Sequence, residues 1–204
     1  MKFLLLFSRA VDAMNGAIGK LVMWFILAAT LISAGNAISR YAFSISSNAF
    51  LEIQWYLFGA VFLLGGGYAF LRNAHVRIDV VSSRLSARTR NWIDVIGIVV
   101  FLLPLSYMMA NMGWPVFERA WQGGEMSSNA GGLIRWPAYL LIPVGFILLG
   151  LQGLSELIKR LNFLFAGGPD PLDHTGPSET EMLAKDIAQS EKAAKVASTG
   201  GQTS

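Results

Sequence analysis

The chain contains no cysteine among its 204 residues, which closes off disulfide frameworks, thiolate zinc sites, iron–sulfur clusters and thiol redox chemistry. Charge is also scarce: Asp, Glu, Lys and Arg make up 14% of the sequence against 53% hydrophobic residues, and the mean hydropathy is +0.48. So few solubilising side chains argue against a soluble enzyme, and so much apolar content excludes a chain disordered throughout. Histidine occurs only at His75 and His174. No glycine-rich phosphate loop, HExxH or clustered acid, base and nucleophile is present, so neither an enzyme nor a cofactor or metal site is expected.

What the sequence does hold is four stretches free of Asp, Glu, Lys and Arg, at residues 21–39, 53–71, 95–117 and 136–155, of 19, 19, 23 and 20 residues. At about 1.5 Å of rise per residue, nineteen residues reach roughly 28 Å, close to the hydrocarbon thickness of a bilayer. None of the four alternates as a barrel strand does, and a helix satisfies its backbone amides within its own segment. The predicted fold is therefore all-α integral membrane, with four transmembrane helices in a domain spanning 20–166. Trp92, Trp114, Trp121 and Trp136 fall at or just beyond span ends, where an amphipathic ring suits the headgroup region.

Basic residues orient the spans. Lys2, Arg9 and Lys20, then Arg72, Arg77, Arg84, Arg88 and Arg90, then Lys159 and Arg160 share one side, ten against the three of Arg40, Arg119 and Arg135. By the positive-inside rule both termini are expected in the cytoplasm. These cations flank apolar runs and form no stripe with interleaved aromatics, so no nucleic-acid partner is expected. Residues 1–19 place Phe3, Leu4, Phe7, Val11, Met14 and Ile18 at helical spacing, with Ser8, Arg9, Asp12 and Asn15 on other faces. Two readings stay open, an interfacial amphipathic helix or an extension of the first span. Residues 167–204 turn polar and read as a disordered cytoplasmic tail, with a short helix allowed by the capping-box spacing of Ser178 and Glu181.

Within the runs there is no ionisable group, and Glu52, Asp94, Glu118 and Glu156 are expected at span boundaries within reach of water. A chain without midplane charge or broken helices is not expected to transport a solute alone. Ala29, Ser33 and Ala37, and Gly65 with Ala69, form small-residue rows that suit a subunit interface or, the favoured reading, intramolecular packing of the four spans. Pro104 predicts a kink in the third span. Asn36, Gln54, Asn111 and Gln152 are expected to hydrogen-bond between helices. A four-helix bundle also suggests the alternative of a haem or quinone anchor subunit of a respiratory complex, but neither histidine falls inside a span to ligate haem.

The stretch Leu51-Glu52-Ile53-Gln54-Trp55-Tyr56-Leu57-Phe58-Gly59, running through the second span to Arg72-Asn73-Ala74-His75-Val76-Arg77-Ile78-Asp79-Val80, resembles the small permease subunit, DctQ type, of tripartite ATP-independent periplasmic (TRAP) transporters. Trp136-Pro137-Ala138-Tyr139 and Ile142-Pro143-Val144-Gly145-Phe146 are similar too, and the resemblance covers roughly residues 10–165. It implies a multi-pass protein of the bacterial inner membrane, partnered by a large DctM-type permease, a periplasmic DctP-type substrate-binding protein and membrane lipid. It also implies uptake of an organic acid driven by a sodium gradient, with the ion and substrate sites in the large subunit. Glu52, Trp55, Arg72, His75, Arg77 and Asp79 become candidate subunit-interface or boundary residues. Glu52 is expected to pair with Arg40 or with a partner's basic residue. The loop from Glu118 to Arg135 is a candidate contact for the binding protein, although ordinary flexibility accounts for its glycines equally well.

Overall fold

The computed structural model describes residues 2–44, 47–73 and 85–172. All the elements below belong to one unit, Met1–Asp170; of a second unit, Pro171–Ser204, only Pro171 and Leu172 are described. The helices are α1 (Lys2–Phe43), α2 (Asn48–Leu71), α3 (Ala87–Gly97), α4 (Leu103–Gln122) and α5 (Trp136–Ala166), with a π-helix, Ile98–Leu102, joining α3 to α4. Taken as spans, α1, α2, the continuous segment Ala87–Gln122 and α5 are each long and apolar enough to cross a membrane. The expected four-span, all-α architecture is therefore found.

Each helix overruns its charge-free run. Hydropathy measures what lipid tolerates, whereas a helix continues for as long as its backbone bonds close and a neighbour covers one face. The 42 residues of α1 extend about 63 Å, against a hydrocarbon layer of about 30 Å. Residues 2–19 are thus no separate element but the first turns of α1. Ser8, Val11, Asn15, Gly19 and Val22 are all buried, three or four residues apart on one face.

The core lies along α5, which packs against α1, α2, α3 and α4 and buries Leu148, Gln152, Ser155, Glu156, Arg160 and Leu164, among others. α2 approaches α5 closely at Gly145, where an added Cβ would fall 2.8 Å from both Cβ and the carbonyl oxygen of Leu63. Only a hydrogen fits between the two backbones. Outward faces are apolar: Trp24, Phe62 and Phe101 are more than two-thirds exposed, as hydrocarbon permits and water does not.

Two packing expectations change. Of the small-residue row on α1, Ala29 is buried but Ser33 and Ala37 are exposed, so this row does not pack within the chain over its full length. Pro104 lies at the start of α4, and the preceding turn widens into the π-helix, in which the Leu103 N–H donates to the Ile98 carbonyl. A five-residue reach absorbs the donor that proline lacks and relieves the ring's clash with the preceding turn. The segment 178–187 lies outside the described residues.

Candidate functional site

Polar side chains gather at the two ends of the bundle. At one end, the connection between α4 and α5 folds onto the first turn of α2. Met126 and Ile134 form an antiparallel bridge, the Ser127 N–H donates to the Leu133 carbonyl at 2.9 Å, and the Arg135 N–H donates to the Glu125 carbonyl at 2.9 Å. Glu52, buried near the start of α2, holds this loop with both carboxylate oxygens. Oε1 accepts from the Ser127 hydroxyl and from Asn129 Nδ2 (2.8 Å), and Oε2 accepts from the Leu133 N–H (2.7 Å). Asn48 Nδ2 donates to the Ala130 carbonyl at 3.0 Å and the Tyr56 hydroxyl to the Ile134 carbonyl at 3.2 Å. Gly131 adopts φ +69°, which a β-carbon disfavours. A Cβ on Gly132 would fall 2.8 Å from Glu52 Oε1.

The expected pairing of Glu52 with Arg40 is therefore replaced by three bonds within the chain, and the loop's glycines serve close packing and turning. Just before α5's first residue, Arg135 pairs with Glu125 at 3.0 Å; that hydrogen bond, with a smaller contribution from Tyr139, holds its pKa above the ordinary arginine value. Three of the four tryptophans expected at the boundary form one aromatic group. Trp121 meets Trp136 edge-on at 4.5 Å, and Phe117 lies 5.6 Å from Trp114 and 6.4 Å from Trp136. Trp92 instead packs edge-on against Phe165 at 6.0 Å.

At the opposite end the start of α1 crosses the last turns of α5. The Ser8 and Ser155 hydroxyls are 2.7 Å apart. Asp12 Oδ1 accepts from Ser155 Oγ (2.8 Å) and Gln152 Nε2 (2.9 Å), and its other oxygen lies 2.6 Å from Lys159 Nζ. Asn15 Nδ2 donates to Gln152 Oε1 at 2.8 Å. Lys159 also reaches Glu156 at 2.8 Å, while Arg160 donates to Glu156 and, at 3.1 Å, to Asp94 of α3. Glu156 is 3% exposed and Arg160 0%. The expectation that Glu156 is open to water is overturned: α1 and α3 pack beside it, and Lys159 and Arg160 of its own helix pair with it in place of solvent. With three carboxylates matched to two cations and several amides and hydroxyls, this cluster ties helices together. Among the described residues no group of three or more His, Asp or Glu could hold a metal ion.

The other candidates are scattered. Trp55 is 73% exposed on α2. Arg72 caps the C-terminus of α2 and donates from Nε to the Tyr68 hydroxyl at 3.2 Å, its guanidinium 5.7 Å from the centre of that ring. His75, Arg77 and Asp79 lie outside the described residues, as does His174. Among the polar residues expected between helices, Gln152 bridges α1 and α5. Gln54 instead donates to the Phe50 carbonyl of its own helix, Asn111 is exposed, and the buried Oδ1 of Asn36 has no partner among the described residues. The sequence reading missed Asp12, Asn15, Ser155, Lys159 and Arg160 as a unit; their signal is the polar spacing 152, 155, 156, 159 and 160 at the end of an otherwise apolar helix.

The family model for tripartite ATP-independent periplasmic transporters, DctQ component, matches residues 29–163. The chain is also similar to the C4-dicarboxylate TRAP transporter small permease protein DctQ of Vibrio cholerae serotype O1 (strain ATCC 39315 / El Tor Inaba N16961). The two are 27% identical over 215 residues, covering 92% of this chain and 88% of that relative. No solved structure matches it. This likeness disfavours the haem or quinone anchor. With four apolar spans and a family model matched over residues 29–163, the chain belongs to the DctQ family, whose members are small, non-enzymatic permease subunits of TRAP transporters in the inner membrane.

Proposed function

We propose that this subunit is a rigid brace for a large DctM-type permease, which takes up an organic acid on a sodium gradient after delivery by a periplasmic DctP-type binding protein. The observation that carries the proposal is the distribution of polar contacts. Both ends of the bundle are tied by buried or part-buried hydrogen bonds and ion pairs, and the four runs between them hold no Asp, Glu, Lys or Arg. A body fixed at both ends and without charge between them suits a part that stands still while another moves. The naming of the Vibrio cholerae relative for C4-dicarboxylates supports an organic acid as the cargo. The ten-to-three charge asymmetry supports cytoplasmic termini, which would present the loop held by Glu52 to the periplasm and the binding protein.

Proteoliposomes containing the large permease, with and without this chain, test the reading. Sodium-driven uptake of labelled dicarboxylate should require both chains and the loaded binding protein. Uptake by this chain alone, or uptake indifferent to its omission, refutes it. Because no native cysteine is present, labelling of Ala130→Cys from outside sealed cells reads the orientation directly.

A further inference from the structure

Beside α1 and α2 the outer face is not closed. A cleft of about 530 Å³ runs between them, lined by Val22 and Met23 of α1, Gly65, Gly66 and Ala69 of α2, and Phe146 of α5, all apolar. Tyr68 lines its end and also a second recess of about 320 Å³, which Gly16 and Lys20 of α1 and Leu71 and Arg72 of α2 complete. Hydrocarbon surface thus passes directly into a polar recess with two cations at its mouth. The step falls where the first charge-free run begins and the second ends, at residues 21 and 71, the depth at which lipid headgroups meet acyl chains.

We propose that this composite cleft binds one anionic phospholipid, with an acyl chain along the glycine-lined groove and the headgroup phosphate between Lys20 and Arg72. Among the described residues no carboxylate lies within salt-bridge distance of either cation, so no described acidic side chain neutralises them. Arg72 is also held in place: its Nε donates to the Tyr68 hydroxyl, and its guanidinium carbon lies over that ring, 5.7 Å from its centre. The terminal nitrogens remain for the paired donation to phosphate oxygens that guanidinium geometry favours. The carbonyl end of α2 opens toward the same recess and repels anions, so two cations are needed to make the site attractive. Long-chain lipid suits the groove because its wall is apolar over the length of the cleft, whereas a free phosphate would leave that wall unused.

The test is native mass spectrometry of the full-length chain, delipidated in neutral detergent and titrated with phosphatidylglycerol or phosphatidylethanolamine. The parent should retain one phosphatidylglycerol and prefer it to the zwitterionic lipid. Lys20→Gln with Arg72→Gln should weaken retention about thirtyfold, the loss expected for two cations near an anionic headgroup, and abolish the preference. A Cβ on Gly66 meets nothing within 4 Å, so Gly66→Leu should fill the cleft without disturbing the fold and displace both lipids at an unchanged melting temperature. Equal binding of the two lipids by the parent, or retention undiminished in either variant, overturns the proposal. So does an assembled complex in which Gly66→Cys crosslinks to the large permease and no phosphatidylglycerol is retained.

Discussion

Replacing Arg160 by Leu probes the fold most sharply. The guanidinium is fully buried and spans two helices, donating to Glu156 on its own turn and to Asp94 on α3. Leucine fills a similar volume but leaves the Glu156 carboxylate, 3% exposed, with Lys159 as its remaining cation. Breaking a buried pair from one side costs about 3–5 kcal/mol, chiefly because the surviving charge stays desolvated. For a chain of this size, about 2–4 °C of melting temperature per kcal/mol turns that into a drop of roughly 6–20 °C. Thermal unfolding in detergent micelles, followed by near-ultraviolet circular dichroism, measures it. The charge-balanced double variant Glu156→Gln/Arg160→Leu should recover at least about half of the loss, because the unpaired charge is removed with its partner. An Arg160→Leu protein melting within about 2 °C of the parent would show that water reaches the cluster, and the buried-network argument would fail.

Glu52→Ala removes three acceptor bonds from the loop preceding α5, so hydrogen exchange at the Leu133 amide should quicken by about tenfold or more while amides of mid-α5 are unchanged; unaltered exchange at Leu133 contradicts the assignment. Gly145→Ala forces a methyl against the Leu63 backbone and should destabilise by about 1–3 kcal/mol, as overpacking does, seen as a lower melting temperature. If the Trp121–Trp136 edge-on contact at 4.5 Å is energetic, a double-mutant cycle to Leu should return a coupling of about 0.5–1.5 kcal/mol; additive losses would reduce the pair to mere proximity.

The four spans could be read from sequence because the bilayer imposes its requirement locally: a run either lacks charge over roughly 30 Å or it does not. The ends could not. In α1 the apolar positions Val11 and Val22 were visible, but Ser8 and Asn15, assigned to other faces, share the buried stripe with them. Their burial depends on Ser155 and Gln152, some 140 residues away, and no local pattern announces a partner at that distance. Glu52 was recognisable as an outlier at a helix start, yet its acceptors match Ser127, Asn129 and the Leu133 amide, an arrangement set by the fold of a glycine-containing loop. The spacing of Glu156, Lys159 and Arg160 is ordinary for a solvated helix face. Asp94, approaching from α3, helps turn it into an interior.

The length of α1 affects how the protein meets its surroundings. A single rod about twice as tall as the oily layer cannot be levelled by leaning over, so a stem of several turns must project from the membrane surface, with the end of α5 joined to it through Asp12 and Lys159. Because the rungs of this stem are bonds inside the protein and not to lipid, a thicker or thinner membrane can slide along it without loosening the helices. The packing at the base of α1 is therefore set by the protein's own bonds and not by the depth of the membrane around it.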